Sequence, residues 1–418
     1  MLSETKLLSY KEKKLITINC LLAVGMAFGS YLVARWTVSF DNPLLYGLIQ
    51  SCAQVITHMI AYYIVSYLSS KIKVSYLFGI SFIVAVIGYI VFVLLASAGK
   101  ITQANIAYGI LMGLYNGAYF ACYNQISYSL TSSKSRISYF AVNGSVTTLF
   151  SFAGPILMIL TLVGLNAGEV SIQVYIVFLV ATSALYLICA ILSLTLGLPR
   201  SIAKIEIRHK FYSVGDKLWN TFSLYNIFYG LFLSITGACG LVFIMCFNKA
   251  LSVYYLCAWI LSILLNCLGN YFFAKILRKV NKAKLFAVCS CFSIGVFLVA
   301  GLFVESSLAL VIGCIAFLIR GIFDGFRFQL DMSLQTAVMD RYTSVGENFF
   351  SRYLVRETMI GIPRILFAIV MLVMAMFLDT VIVIIIVSAV GLVIFNTLAI
   401  VCFIKVLRLL NITKSTAQ

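Results

Sequence analysis

Four charged residues lie on one face of a single apolar segment in the C-terminal half of the chain. Arg320, Asp324, Arg327 and Asp331 are spaced four, three and four residues apart. At 3.6 residues per turn, this spacing keeps the last three within about 40° of Arg320 around a helix. Each charge at bilayer depth costs roughly 2.5–3.5 kcal/mol. Such a stripe is therefore expected to face a polar pathway or other protein groups.

The spacing of the stripe allows a functional and a structural interpretation. Arg320 and Asp324 lie near the middle of the segment, where charge is most costly, and they are candidates for a substrate or coupling site. Arg327 and Asp331 lie nearer one end. We interpret them as a gate or as a ladder of neutralising pairs along one helix face.

The next apolar segment carries a second set of charges around a proline. Arg364 lies near mid-segment, directly after Pro363. We hypothesise that Arg364 pairs with Asp324 and shares it with an anionic or zwitterionic solute; a permanent salt bridge is the alternative. Arg356 and Glu357 lie toward one end of the segment, and we predict that they form gating salt bridges that hold two halves of the protein together.

An earlier segment, near residues 103–129, offers uncharged polar and aromatic side chains. Asn116, Tyr119 and Tyr123 could line a surface for a hydrophobic or aromatic solute. Helix packing explains them nearly as well, because aromatic residues make up 14% of the chain. His58 is alone in the second segment, where hydrogen bonding to the protein is favoured over a proton relay.

The composition is that of an integral membrane protein. The chain is 62% hydrophobic and 10% charged, and its mean hydropathy is +1.06. About a dozen apolar runs reach the length of roughly 18 residues that crosses a bilayer. We therefore predict an all-α polytopic membrane protein with about 12 transmembrane helices.

The net charge of +17 follows the predicted topology. Of the 30 Lys and Arg residues, 23 fall in the two termini and in alternate loops, whereas Lys100 and Lys249 are the two in the other loops. This positive-inside bias predicts cytoplasmic N- and C-termini. The basic charge is explained by topology, so we expect no nucleic-acid partner.

The chain repeats itself at an offset of 208 residues. The run Gly-Leu-Tyr-Asn-Gly from Gly113 matches Gly-Ile-Phe-Asp-Gly from Gly321, and Pro155 falls on Pro363. Matches in register at half the chain length predict two parallel six-helix halves with a site between them. The predicted domains are an N-terminal bundle, a cytoplasmic linker and a C-terminal bundle at residues 1–197, 198–217 and 218–418.

This organisation resembles the major facilitator superfamily. The resemblance is carried by twelve segments, two parallel halves, basic loops after segments 2 and 8, a long basic linker, and Gly154-Pro155 in segment 5. It implies that helices 1, 4, 7 and 10 line a cavity and that helices 3, 6, 9 and 12, which carry no charge, face lipid. The loop at 67–73 keeps the basic residues of the family signature and lacks its Asp and glycines, so the chain resembles a divergent member.

We therefore predict a secondary active transporter that moves a small anionic, zwitterionic or amphipathic solute across the plasma membrane by alternating access. Proton coupling through Asp324 is one option. A lipid or lipid-linked flippase and a non-transporting membrane sensor are the alternatives. The sequence has no P-loop, no metal-ligand cluster and no nucleophile–base arrangement, so we expect neither an enzyme nor a cofactor or metal. We expect a monomer in contact with membrane lipids.

Overall fold

The computed structural model describes residues 8–38, 43–131, 136–153, 156, 172–198, 213, 215–248, 260–270, 280–302, 309–343, 349–377 and 381–415. These residues form twelve helices and no strand. The helices are α1 Tyr10–Val38, α2 Pro43–Leu68, α3 Val74–Ser97, α4 Ile101–Leu130, α5 Arg136–Phe150, α6 Ile172–Leu194, α7 Lys217–Asn248, α8 Ile260–Asn270, α9 Lys282–Leu302, α10 Ala309–Thr343, α11 Phe349–Phe377 and α12 Val381–Ser415. The predicted all-α fold of about twelve helices is confirmed.

The repeat at 208 residues is visible in where the helices begin. Helices α3 and α9 begin at residues 74 and 282, and α4 and α10 begin at residues 101 and 309, so both pairs differ by 208. Helices α1 and α7 begin at 10 and 217, and α6 and α12 at 172 and 381. The two halves are therefore built on one plan. Most of the predicted linker, together with Pro155, lies outside the described residues.

The repeated glycines make the same contact in each half. A Cβ on Gly113 in α4 would collide with the carbonyl oxygen of Gln54 in α2, and one on Gly321 in α10 would collide with that of Ser262 in α8. Residues 54 and 262 also differ by 208. The next glycine along each helix repeats the pairing: Gly117 on His58 and Gly325 on Asn266. Glycine lets the two backbones approach where any side chain would separate them.

Within the described part of the chain, five helices are long and apolar enough to cross a membrane: α2, α3, α6, α11 and α12. Helix α3 shows why an outer helix needs no charge. Its exposed side chains recur every three or four residues as one apolar stripe: Tyr76, Ile80, Ile83, Ile87, Ile90 and Leu94. A stripe of this kind suits a helix that faces lipid on one side and packs against α4 and α6 on the other.

Side-chain contacts bring one set of helix ends together. Lys14 at the start of α1 donates to the carbonyl of Thr195 after α6, and Tyr342 at the end of α10 donates to Asp216 before α7. We call this the basic end; it holds the α2–α3 turn, the starts of α1, α5, α7, α9 and α11, and the ends of α4, α6, α10 and α12. The other end is called the opposite end. Contacts between the halves join α2 to α11 and to α7, and α5 to α10.

Candidate functional site

A cavity of about 410 Å³ lies between the two halves. Helices α1, α2 and α4 supply its wall on the N-terminal side, and α7 and α11 supply the wall on the C-terminal side. Six of its fourteen lining residues are polar: Ser51, Gln54, His58, Asn116, Ser234 and Arg364. Its volume falls at the lower end of the range of about 300–1,000 Å³ that is typical of small-molecule sites.

The rest of the cavity wall is apolar. Phe120 and Phe367 face it from α4 and α11, and Met26 and Met371 add flexible thioether side chains from α1 and α11. Methionine adapts its shape to a ligand more readily than a branched side chain does. The cavity thus combines a polar patch with a surface suited to an uncharged organic body.

Among the described residues that line the cavity, Arg364 is the one with a permanent charge. Pro363, directly before it, lies within α11. The carbonyl oxygen of Arg364 accepts a hydrogen bond from the Ser234 hydroxyl of α7 at 3.4 Å. Its Nε atom is buried and finds no hydrogen-bond acceptor among the described residues. Because a buried donor without an acceptor is costly, this cation is poised to bind an acceptor that enters the cavity.

Contacts between α2 and α11 close the cavity on the side of the basic end. Tyr63 of α2 and Thr358 of α11 are hydrogen-bonded through their hydroxyl groups. Tyr62 and Leu354 are buried against Ala121 of α4 in a small apolar cluster. All of these residues lie nearer the basic end than His58 and Arg364 do. The two halves are therefore in direct contact between the cavity and the basic end.

An ion pair also crosses between the halves at the basic end. Nη1 of Arg136, at the start of α5, lies 2.7 and 2.8 Å from the two carboxylate oxygens of Asp340 in α10. The Arg136 side chain is 8% exposed and that of Asp340 is 41% exposed. Tyr128 of α4 donates to Asp340 at 3.2 Å and lies beneath the Arg136 guanidinium. A charge-assisted bond of this kind holds α5 and α10 together.

Two of the six predicted substrate residues, Asn116 and Arg364, line the cavity. Tyr119 and Tyr123 belong instead to a polar network inside the N-terminal half. Tyr119 donates to Asn19 of α1 at 3.0 Å, and the Tyr123 hydroxyl lies 3.3 Å from that of Tyr139 in α5. These bonds satisfy both hydroxyl groups, as packing requires. A role of the two tyrosines in substrate binding stays a prediction.

The other two predicted substrate residues lie on α10. The side chain of Arg320 lies outside the described residues. Asp324 is half-buried, and its charge acts on Cys289 of α9. The charge of Glu357, seven residues earlier on α11, acts on Arg364. The proposed sharing of Asp324 between Arg364 and a solute stays a prediction.

The predicted gate residues Arg327 and Asp331 lie inside the C-terminal half. Arg327 is 5% exposed, and its guanidinium carbon lies 3.5 Å from the centre of the Phe232 ring. Asp331 is 2% exposed and accepts hydrogen bonds from Tyr225, at 2.6 Å, and from Gln335. Each charged group is therefore held mainly by helix α7 or by its own helix.

The other predicted gate residues, Arg356 and Glu357, form an ion pair with each other. This bond lies within α11, so it does not itself join the halves. Glu357 nevertheless faces the interface, because its charge acts on Tyr62 of α2. Arg352, one turn before Arg356, lies over the ring of Trp219 in α7, at 4.2 Å.

Sequence reasoning missed Arg136 and Asp340 as a contact between the halves. Arg136 lies in one of the basic loops whose charge is explained by topology, and Asp340 lies beyond the polar stripe of its segment. The signal that could have found them is the isolated acidic residue at 340 near the basic end, since a carboxylate among many basic groups usually has a partner.

No protein-family model and no curated protein sequence matches the chain. Solved structures of low sequence identity share its fold. The human organic anion transporter MFSD10 has a TM-score of 0.62 at 13% identity, with 94% of this chain and 99% of that chain covered. A mutant of the nucleoside transporter NupG has a TM-score of 0.60 at 14% identity, with coverages of 95% and 99%. FucP, a Major Facilitator Superfamily transporter in the outward conformation, has a TM-score of 0.56 at 12% identity, with coverages of 93% and 98%.

Proposed function

The chain has the fold of the major facilitator superfamily, and on that premise we propose that it is a secondary transporter working by alternating access. The observation that carries the proposal is the cavity between the halves, which is closed toward the basic end by contacts of α2 with α11 and lined by Arg364. Rocking one half against the other would open the basic end and close the opposite end around the same cavity.

The solute is small and carries an uncharged body, in keeping with the cavity volume and its apolar wall. The proposed ligand classes are those expected from the sequence: anionic, zwitterionic or amphipathic. Proton coupling would use Asp324, a half-buried carboxyl group on α10. We propose no catalytic reaction and no resident cofactor.

The proposed orientation follows from charge. The basic end faces the cytoplasm under the positive-inside rule, which places both termini there. The structure then has its cavity on the outer side of the closed interface. We propose a plasma-membrane location and a monomer surrounded by lipid.

Uptake into proteoliposomes tests the proposal. Purified protein is reconstituted into liposomes, and a mixture of small metabolites is added on one side of the membrane. The compounds that accumulate on the other side are identified by mass spectrometry and compared with those in protein-free liposomes. A variant with a filled cavity, Ser234→Trp, is the matched control. Saturable accumulation that the control lacks supports transport. Movement of labelled lipid without uptake of any soluble compound would favour the flippase instead.

The Arg136–Asp340 pair gives a prediction for alternating access. We expect Asp340→Asn to open the basic end more often, because the buried Arg136 loses its carboxylate. The equilibrium should shift by about 1–2 kcal/mol, since one partner is partly exposed. In a cysteine-depleted background, a cysteine at Ala121, which is 1% exposed, should react with a polar maleimide roughly tenfold faster.

Two comparisons control this experiment. A cysteine at the exposed Lys71 should react at the same rate in both backgrounds. Exchange of both charges, Arg136→Asp with Asp340→Arg, should return the Ala121→Cys rate toward its original value. Equal rates in the presence and absence of the Asp340 carboxylate would show that the ion pair does not hold the halves together.

A further inference from the structure

The charge balance of the cavity is one-sided. Among the fourteen described residues that line it, Arg364 carries a permanent positive charge, and none is an aspartate or a glutamate. The other polar lining groups are amides, hydroxyls and the imidazole of His58. A solute with one negative charge would therefore find one complementary charge, and a solute with an ammonium group would find no carboxylate in this wall.

Arg364 also has unused hydrogen-bonding capacity. Its Nε atom is buried and has no acceptor among the described residues. The negative charge of Glu357, two helical turns away toward the basic end, acts on Arg364, but that carboxylate already forms an ion pair with Arg356. A guanidinium binds a carboxylate or a similar anion through parallel N–H donors, which matches the missing partner.

Among the described lining residues, the N-terminal half contributes no cation. At the offset of 208 residues, Arg364 corresponds to Ile156 in the N-terminal half, and Asn116 corresponds to Asp324. The N-terminal half thus contributes neutral side chains, such as Asn116 and Gln54, to the cavity. A dianion would leave one charge unpaired in a partly apolar site, which is costly.

We infer that the cavity is selective for organic monoanions, with the anionic group on Arg364 and the uncharged body between Phe120 and Phe367. The inference rests on the proposed function and narrows its ligand classes to one. The side-chain amides of Gln54 and Asn116, which also line the cavity, supply further hydrogen-bond donors for the anionic group. Zwitterions, dianions and cations bind more weakly than the monoanion of the same body.

A matched set of ligands tests this selectivity in the purified, full-length protein. The probes are phenylacetate, phenylsuccinate, phenylalanine and phenethylamine, which share a phenyl body and differ in charge, and the same four charge classes on a linear six-carbon body. Dissociation constants are measured by calorimetry at pH 7.5. At least one monoanion should bind, and its three counterparts should bind at least about tenfold more weakly.

Variants of the arginine separate charge recognition from folding. Arg364→Gln should weaken binding of the monoanion at least about tenfold, and Arg364→Lys should retain part of it. Arg408→Gln removes an exposed cation of α12 and should leave binding unchanged. The dissociation constants of the four charge classes are compared in the unmodified protein. This comparison tests the selectivity even if the Arg364→Gln protein does not fold.

The outcomes separate this inference from the proposed function. Equal or tighter binding of the zwitterion, cation or dianion overturns the monoanion selectivity, as does binding of none of the probes or an unchanged affinity in a folded Arg364→Gln protein. Selective monoanion binding without any uptake into proteoliposomes would leave the anion site in place and overturn transport. Uptake of a solute from another charge class would support transport and overturn the monoanion selectivity.

Discussion

Replacing Asp331 by asparagine is expected to destabilise the C-terminal half by about 3 kcal/mol. The asparagine side chain would keep one oxygen that accepts the Tyr225 hydrogen bond, but its NH2 group could not accept the bond that Gln335 now donates. The substitution therefore removes the negative charge and one hydrogen-bond acceptor. Arg327 lies one turn away on α10, is 5% exposed, and has buried Nε and Nη2 atoms without hydrogen-bond partners among the described residues. The charges of both side chains act on Tyr225 and Tyr229, which places them in one buried cluster. Without Asp331, the buried Arg327 cation would lose the negative charge of this cluster.

The midpoint of thermal unfolding measures this loss in purified protein. For a unit of about 200 residues, 3 kcal/mol corresponds to a fall of roughly 6–12 °C. Asp340→Asn is the matched control, because the same chemical change at a carboxylate that is 41% exposed should cost less. The double variant Arg327→Met with Asp331→Asn should recover part of the loss, since it removes both charges. If Asp331→Asn and the double variant were equally stable, the Asp331 charge would not compensate the charge of Arg327.

Leucine at Gly321 is expected to cost about 3 kcal/mol or more, because overpacking against a rigid backbone leaves little room for relaxation. A side chain there would meet the carbonyl oxygen of Ser262 in α8. The repeat makes the same prediction for Gly113, which contacts Gln54 of α2. Both variants should yield little folded protein, measured as the monodisperse fraction after detergent extraction.

Gly295→Leu is the matched control for helix packing. It lies within α9, and a Cβ there would have no atom of the described residues within 4 Å. Leucine favours a helix over glycine by up to about 1 kcal/mol, so this variant should be as stable as the parent or slightly more so. If Gly321→Leu and Gly295→Leu behaved alike, close approach of α8 and α10 would not be needed for the fold.

Much of the fold could be predicted because it depends on local patterns. Hydropathy indicates each helix, and the match between Gly113 and Gly321 located the repeat that the helix starts and glycine contacts display. The absence of charge in segment 3 agrees with the exposed apolar stripe of α3. These features need no knowledge of which helix lies beside which.

The partners of the charges were harder to predict. Helical spacing places Arg327 and Asp331 on one face, but it does not reveal that α7 presents Phe232 to the first and Tyr225 to the second. Placing Arg364 near mid-helix was enough to associate it with a cavity. The charge of Glu357, which lies two turns away on the same helix, acts on Arg364, whereas the pairing of Arg364 with Asp324 of α10 stays a prediction.

If the two halves move against each other around the cavity, distances between the halves change at both ends of the molecule. Spin labels introduced through an unnatural amino acid, which avoids the 12 native cysteines, would pair the exposed Lys71 with Asn281 at the basic end and Lys100 with Phe377 at the opposite end. In Asp340→Asn protein, we predict that the basic-end distance lengthens while the opposite-end distance shortens, relative to the parent protein. A change at one end alone, or at neither, would contradict alternating access in this chain.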